Sequence, residues 1–199
     1  MRRITYTRAA LKTLRKIPAN TAKLIVSKVG QYAVDPASLA NNVTELKGRT
    51  GFRLWVNSWR VIMNDDGTVL TVLESARAEA YTNRRQMMDT VTIDRAEYDR
   101  LTEAADELDD LRAYDRAMAR LDTGEDELIP ADAVVRLLSG ESPVRVYREL
   151  RGFTQQQLAD ASNVNRVQIA DIEARRKQGS IDTVKRLAAA LEVAVDDLV

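Results

Sequence analysis

Two groups of residues in this 199-residue sequence have types and spacings that could do chemistry. The first is cationic. Arg53 and Arg60 lie in adjacent stretches of period-2 alternation, and the even step from Arg53 to Trp55 lets the two arginines share one face of a sheet. Arg77 and Tyr81, four apart on the next element, can approach the same face. Such cations stabilise charge developing on phosphorus when a ribose 2′-hydroxyl attacks its phosphate. A tyrosine could move the proton if neighbouring arginines favoured its ionised form. The sequence contains no histidine and no cysteine. That removes the paired-histidine route to RNA cleavage, the Ser-His and Cys-His arrangements and the usual metal ligands. Catalysis must then use Arg, Lys, Tyr or carboxylates, and neither a metal nor a cofactor is expected.

The second group runs from Thr154 to Glu173. Thr154 can cap a short helix whose Leu158 and Ala159 face inward, Ser162-Asn163 makes a tight turn, and Val164 plugs the core below it. Asn165 caps a second helix with Ile169 and Ile172 turned inward. Asn165, Arg166, Val167, Gln168 and Asp171 are left on the outer face near its start, where a recognition helix meets base edges. Arginine can fork to guanine, and Gln or Asn to adenine. Over about Val144–Val199 these residues resemble the Xre/Cro/phage-repressor family, and Leu187–Val193 with Asp196-Asp197-Leu198 matches its last helix and ending. The resemblance implies that Gln155 bonds a backbone phosphate, that the five outer residues face bases, and that Arg175, Arg176 and Lys177 lie against phosphates. The sequence departs from that family in two places. Arg175 stands where the family usually has Gly, and Gly179-Ser180 where it often has Pro-Ser. A dimer reading a palindromic operator is the expected working form.

Charge is sorted along the chain although the total is zero. Residues 1–86 hold 15 Lys and Arg against 6 Asp and Glu, whereas residues 89–141 hold 16 acidic against 6 basic residues. Residues 142–199 are nearly balanced, at 9 basic and 8 acidic. A basic body suits a polyanion, and an acidic segment of similar charge on the same chain is a natural competitor for that site. The absence of cysteine, of a secretory signal at the N-terminus and of any apolar run near 20 residues suits a cytoplasmic protein without membrane contact.

The elements that would position these groups follow from periodicity. Ile4 and Tyr6 alternate as a short strand, and Thr7 can cap a helix to Ile17. Pro18 separates a second helix, which Asp35-Pro36 ends. Val43–Leu46, Phe52–Val56, Trp59–Met63 and Val69–Leu73 read as strands, with Asp66-Gly67 the clearest hairpin turn. A short helix over Ala78–Arg85 closes an α+β domain of two helices on a mainly antiparallel sheet. Past Met87-Met88, Asp94 can cap a long helix to about Leu121. Its apolar positions are Tyr98, Leu101, Ala105, Leu108, Leu111, Tyr114, Met118 and Leu121, at spacings of 3 and 4. Asp122–Glu127 reads as a loop, and everything from Ile129 onward as helical.

Within 1–86, the run Glu45–Met63 and the later Val72–Tyr81 are similar to the RelE toxin family: a Leu-Lys-Gly turn, an arginine opening the Arg60-Val61-Ile62 strand, and a late Arg-x-x-x-Tyr. The resemblance implies the fold of small ribosome-dependent messenger ribonucleases. It makes Arg53, Arg60, Arg77 and Tyr81 the catalytic set, and Lys47 and Arg49 RNA holders. Trp55 stands where many members carry a second basic residue, and it could stack on a base.

Three parts are expected: a RelE-like domain at 1–86, an acidic neutralising linker and helix at 87–128, and an all-α DNA-binding domain at 129–199. The Met87-Met88 pair at the composition break is what fusion of adjacent toxin and antitoxin genes would leave. The expected partners are operator DNA, mRNA and the ribosome for a free toxin domain, and a toxin–antitoxin contact within one chain or across a homodimer. Alternatives stay open. The long helix could instead pair with its own copy. The first domain could be an active nuclease merely tethered to a repressor, or an inactive scaffold or sensor in a transcriptional regulator.

Overall fold

The computed structural model describes residues 2–67, 69–77 and 92–198, without the side chains of 69–71 and 73–77. The expected helix Ala78–Arg85, Tyr81 and the Met87-Met88 junction lie outside the described residues. The chain divides into two compact units, Met1–Pro130 and Ala131–Val199.

In the first unit, β1 (Arg3–Thr7) leads into α1 (Arg8–Lys16), where Thr7 Oγ1 accepts the Ala10 amide at 3.0 Å. Pro18 starts α2 (Ala19–Val34), and a 3-10 turn over Pro36–Asn42, absent from the sequence reading, follows it. Strands β2 (Val43–Glu45), β3 (Gly51–Val56), β4 (Trp59–Asp65) and β5 (Val69–Arg77) run as an antiparallel meander. The sheet order is β2-β3-β4-β5-β1 with a sixth, short strand beyond β1, and β1 runs parallel to β5. Pleating sends Leu54, Val56, Val61 and Met63, all nearly inaccessible, to the face shared with α1 and α2. Arg53, Trp55, Arg60 and Ile62 go to the opposite face, because Trp55 pairs with Arg60 and Arg53 with Ile62. Sequence alternation placed these arginines together correctly.

One expectation is corrected. Ile129 does not begin a helical region but lies in a short strand, β6 (Leu128–Pro130), antiparallel to β1 across Tyr6–Ile129. Three residues ending in proline carry almost no strand signal of their own. The exposed backbone of β1 supplies the pairing. The preceding loop joins in: Asp126, 7% exposed, accepts the Arg8 and Ala9 amides at 2.8 and 3.4 Å. Asp126 thus caps α1 alongside Thr7, satisfying amides that a helix start leaves bare.

The acidic helix α3 (Arg95–Asp122) is capped by Asp94, which accepts the Glu97 amide at 2.8 Å. Its second half lies on the arginine-bearing sheet face, where Ala113, Tyr114 and Ala117 form a cluster with Leu46 and Ile62. Leu111, Met118 and Leu121 pack around that cluster, whereas Tyr98, Leu101 and Leu108 are exposed at 47, 51 and 47%. The apolar positions that the sequence reads as one stripe are therefore split between two faces. From Ala105 through Leu108 and Leu111 to Tyr114 the steps are all three residues. Each falls short of a full turn by about 60°, so the stripe swings roughly halfway round the helix.

The second unit contains α4 (Ala131–Leu138), α5 (Pro143–Leu150), α6 (Gln155–Ser162), α7 (Arg166–Glu173) and α8 (Ile181–Leu191), followed by a 3-10 turn at Val195–Asp197. Leu158, Ile169, Leu187, Leu191 and Tyr147 fill its core.

Candidate functional site

The basic sheet face and the acidic helix meet through side chains. Arg53 Nη1 donates to Asp110 Oδ2 at 2.8 Å, and Arg60 Nε lies 3.3 Å from Asp110 Oδ1. Arg60 Nη1 donates to Asp106 Oδ1 at 3.1 Å. Both arginine side chains are 13% exposed and the Asp110 side chain only 1%, so this is a partly buried knot of two cations and two carboxylates. Burial pushes the Asp110 carboxyl above its ordinary value, against the pull of Arg60 and Arg53. Arg53 also stacks its guanidinium over Trp55, 5.1 Å from the ring centroid.

Around the knot the contacts open to solvent. Lys47 Nζ donates to Glu107 at 2.7 Å, and Arg49 holds Asp115 through two bonds of 2.7 and 2.8 Å. The hydrogen bond from Arg49 holds the Asp115 carboxyl below the usual carboxylate range. Beside them the Tyr114 ring lies on the bare backbone of Gly51. A methyl group added there would stand 2.5 Å from a ring carbon. The Tyr114 hydroxyl donates to Asn64 Oδ1 at 3.3 Å and is 3.0 Å from Thr50 Oγ1.

Of the sequence-derived nuclease set, then, Arg53 and Arg60 converge, and Lys47, Arg49 and Trp55 surround them. Arg77 pairs with Trp59 at the end of β5, but its side chain lies outside the described residues, as does Tyr81. Asp106, Asp110, Gly51, Thr50 and Asn64 were not singled out from sequence. The i,i+4 spacing of Asp106 and Asp110 was a usable signal, since it places two acids on one helix face. Nothing local pointed to Gly51.

In the second unit, Thr154 and Gln157 cap α6 reciprocally, with Thr154 Oγ1 accepting the Gln157 amide at 3.2 Å and Gln157 Oε1 accepting the Thr154 amide at 2.8 Å. Asn163 takes the left-handed turn at φ 52°, Val164 is buried below it, and Asn165 Oδ1 accepts the Val167 amide at 2.8 Å. The start of α7 consequently presents Asn165, Arg166 and Val167 to solvent, with Val167 62% exposed. Gln168 is half-buried and its amide reaches Thr183 at 3.3 Å.

Four residues assigned from resemblance meet other partners. Asp171 binds Arg176 and Lys177 at 3.0 and 2.9 Å, so acid and cations neutralise one another, and the Lys177 bond lowers its carboxyl. Gln155 donates to Glu173 at 2.8 Å. Glu173, its side chain 5% exposed, also receives Arg148 at 2.6 Å, a buried link between α5 and α7 that sequence reasoning missed. Arg175 stands at φ 56°, the left-handed conformation in which glycine is least strained.

A helix-turn-helix family model matches residues 144–198, a DNA-binding motif. No curated protein matches the chain. Among solved structures two chains match. One is from the toxin–antitoxin complex RelBE2 of Mycobacterium tuberculosis, at 17% identity over 38% of this chain and 96% of that one, with a TM-score of 0.33. Among the described residues, no helix is long and apolar enough to cross a membrane.

Proposed function

We propose that the chain is a toxin–antitoxin pair in one cytoplasmic polypeptide. Residues 1–86 form a RelE-like mRNA endoribonuclease, the acidic segment 87–128 holds it silent, and the helix-turn-helix domain of residues 129–199 binds operator DNA as a dimer to repress transcription. The observation that carries this reading is the Asp110 carboxylate lodged between Arg53 and Arg60, 2.8 and 3.3 Å from their nitrogens. Two cations converging beside an aromatic ring suit a phosphodiester with its base on Trp55. A carboxylate in the same place supplies the negative charge RNA would bring, so helix and RNA compete for one site. Covalent linkage keeps the helix at high effective concentration and favours silence.

The test uses the whole chain. Asp106→Ala/Asp110→Ala should arrest growth and produce ribosome-dependent mRNA cleavage, and adding Arg53→Ala should abolish both. Absence of cleavage in a folded Asp106→Ala/Asp110→Ala variant would leave the second reading, a repressor whose first domain is an inactive scaffold. Trp55 favours that reading, since it takes the place of a second basic residue. For the DNA half, Arg166→Ala and Gln168→Ala should each weaken operator binding in a gel shift by about 1–3 kcal/mol. Unchanged binding would remove these residues from base contact.

A further inference from the structure

The first half of α3 carries an apolar strip that the sheet does not use. Tyr98, Leu101, Ala105 and Leu108, spaced three, four and three, share one helix face, and the three large ones are about half exposed. On the helical wheel this face points roughly opposite to Asp110, Ala113 and Ala117, which are the residues held on the sheet. A helix already anchored by its second half has no need of exposed tyrosine and leucine on the far side of its first half. Like-spaced strips on helices commonly pair with one another.

The charges at the ends of the strip say what covers it. Asp94 lies in line with it at the N-terminal end, and Arg112, 62% exposed and only loosely approached by Asp109 at 4.0 Å, lies in line at the other. We propose that a second copy of this chain docks here antiparallel, the two α3 helices crossing near position 103. That register sets Tyr98 against Leu108 of the second copy, Leu101 against Ala105, and Asp94 against Arg112, because every pair is symmetric about the same position. Parallel pairing would instead stack Asp94 on Asp94 and Arg112 on Arg112. The antiparallel arrangement also opposes the two helix dipoles. The inference goes beyond the functional reading and does not depend on nuclease activity. The acidic helix would have two faces with two tasks: one clasps the arginine groove, and the other joins two chains. A strip of four side chains is small beside a standard interface of about 1,600 Å², so the pairing is weak, with dissociation on the order of micromolar.

Sedimentation equilibrium of the full chain, from about 1 to 100 μM, should show a monomer–dimer equilibrium in that range. Leu101→Glu/Leu108→Glu should raise the dissociation constant at least about tenfold, with the thermal midpoint unchanged when measured well below the dissociation constant, where the chain is monomeric. The sequence has no cysteine, which makes cross-linking unambiguous. Tyr98→Cys/Leu108→Cys should oxidise to a covalent dimer, because the two positions in one helix are about 15 Å apart and cannot bridge within the chain. Tyr98→Cys alone should stay monomeric on the gel. A monomer throughout the range, a dimer indifferent to the two glutamates, or a Tyr98→Cys chain that cross-links to itself would each overturn the proposal. So would a monomer whose thermal midpoint falls on introducing the glutamates, since the strip would then be covered by the chain's own residues. Should the glutamate variant fail to fold, the cysteine pair decides alone.

Discussion

Asp110 is an acid held in an unfavourable place by two arginines. Its burial outweighs their pull, so the folded chain keeps a proton there at pH values where an unfolded aspartate would not. The sign follows: between the ordinary and the raised value, this site's contribution to stability grows as pH falls. Asp115, hydrogen-bonded by Arg49, behaves oppositely, contributing above the ordinary carboxylate value and losing that contribution as pH falls through its lowered one. Carboxyl-carbon NMR titration should therefore find Asp110 titrating at higher pH than Asp115. The reverse order would mean that the arginines prevail over burial. Arg175 offers a second residue-level check. A side chain in the left-handed region costs about 1 kcal/mol, part of which glycine returns through its unfolded-state freedom. Arg175→Gly should stabilise the fold by about 0.5 kcal/mol, read as a higher denaturation midpoint with the slope unchanged.

For the helix as an element, docking depends on one small residue. Tyr114 sits against Gly51 so closely that any side chain there must push the ring away. Gly51→Val should lift the second half of α3 from the sheet while the strand, which favours Val, survives. Amide exchange would then rise across Ala113–Ala117, with protection kept in β3 and β4. Protection unchanged in the helix would show that the arginine–carboxylate knot suffices alone. The clasp at the opposite edge is separate. Asp126→Ala should cost about 1 kcal/mol through loss of the α1 cap, measured by denaturant unfolding.

At the scale of the molecule, ionic strength should divide the interface into two classes. Lys47–Glu107 and Arg49–Asp115 face solvent and are screened by salt, whereas the Arg53–Asp110 knot is shielded. Salt should therefore weaken DNA binding strongly and the arginine–carboxylate knot only slightly. This is testable by following exchange in α3 and gel-shift affinity across the same series. Equal sensitivity of the two would place the strength of the α3 contact in its exposed pairs.

Much of this architecture was legible in the sequence because it rests on local signals. Thr7, Asp94, Thr154 and Asn165 announce helix starts by capping chemistry. Alternation from Phe52 to Met63 sorts the arginines onto one face. The charge break near residue 87 separates a basic body from an acidic segment. What only the tertiary structure decided is where partners separated along the chain meet. No local pattern says that Asp110 rather than Asp109 enters between Arg53 and Arg60, that Leu128–Pro130 completes the sheet, or that Asp126 caps α1. The strip from Tyr98 to Leu121 reads as one face until the successive steps of three are followed around a real helix, one half meeting the sheet and the other meeting solvent. Propensity and period act over a few residues, whereas burial and ion pairing are settled by neighbours that the fold alone brings together.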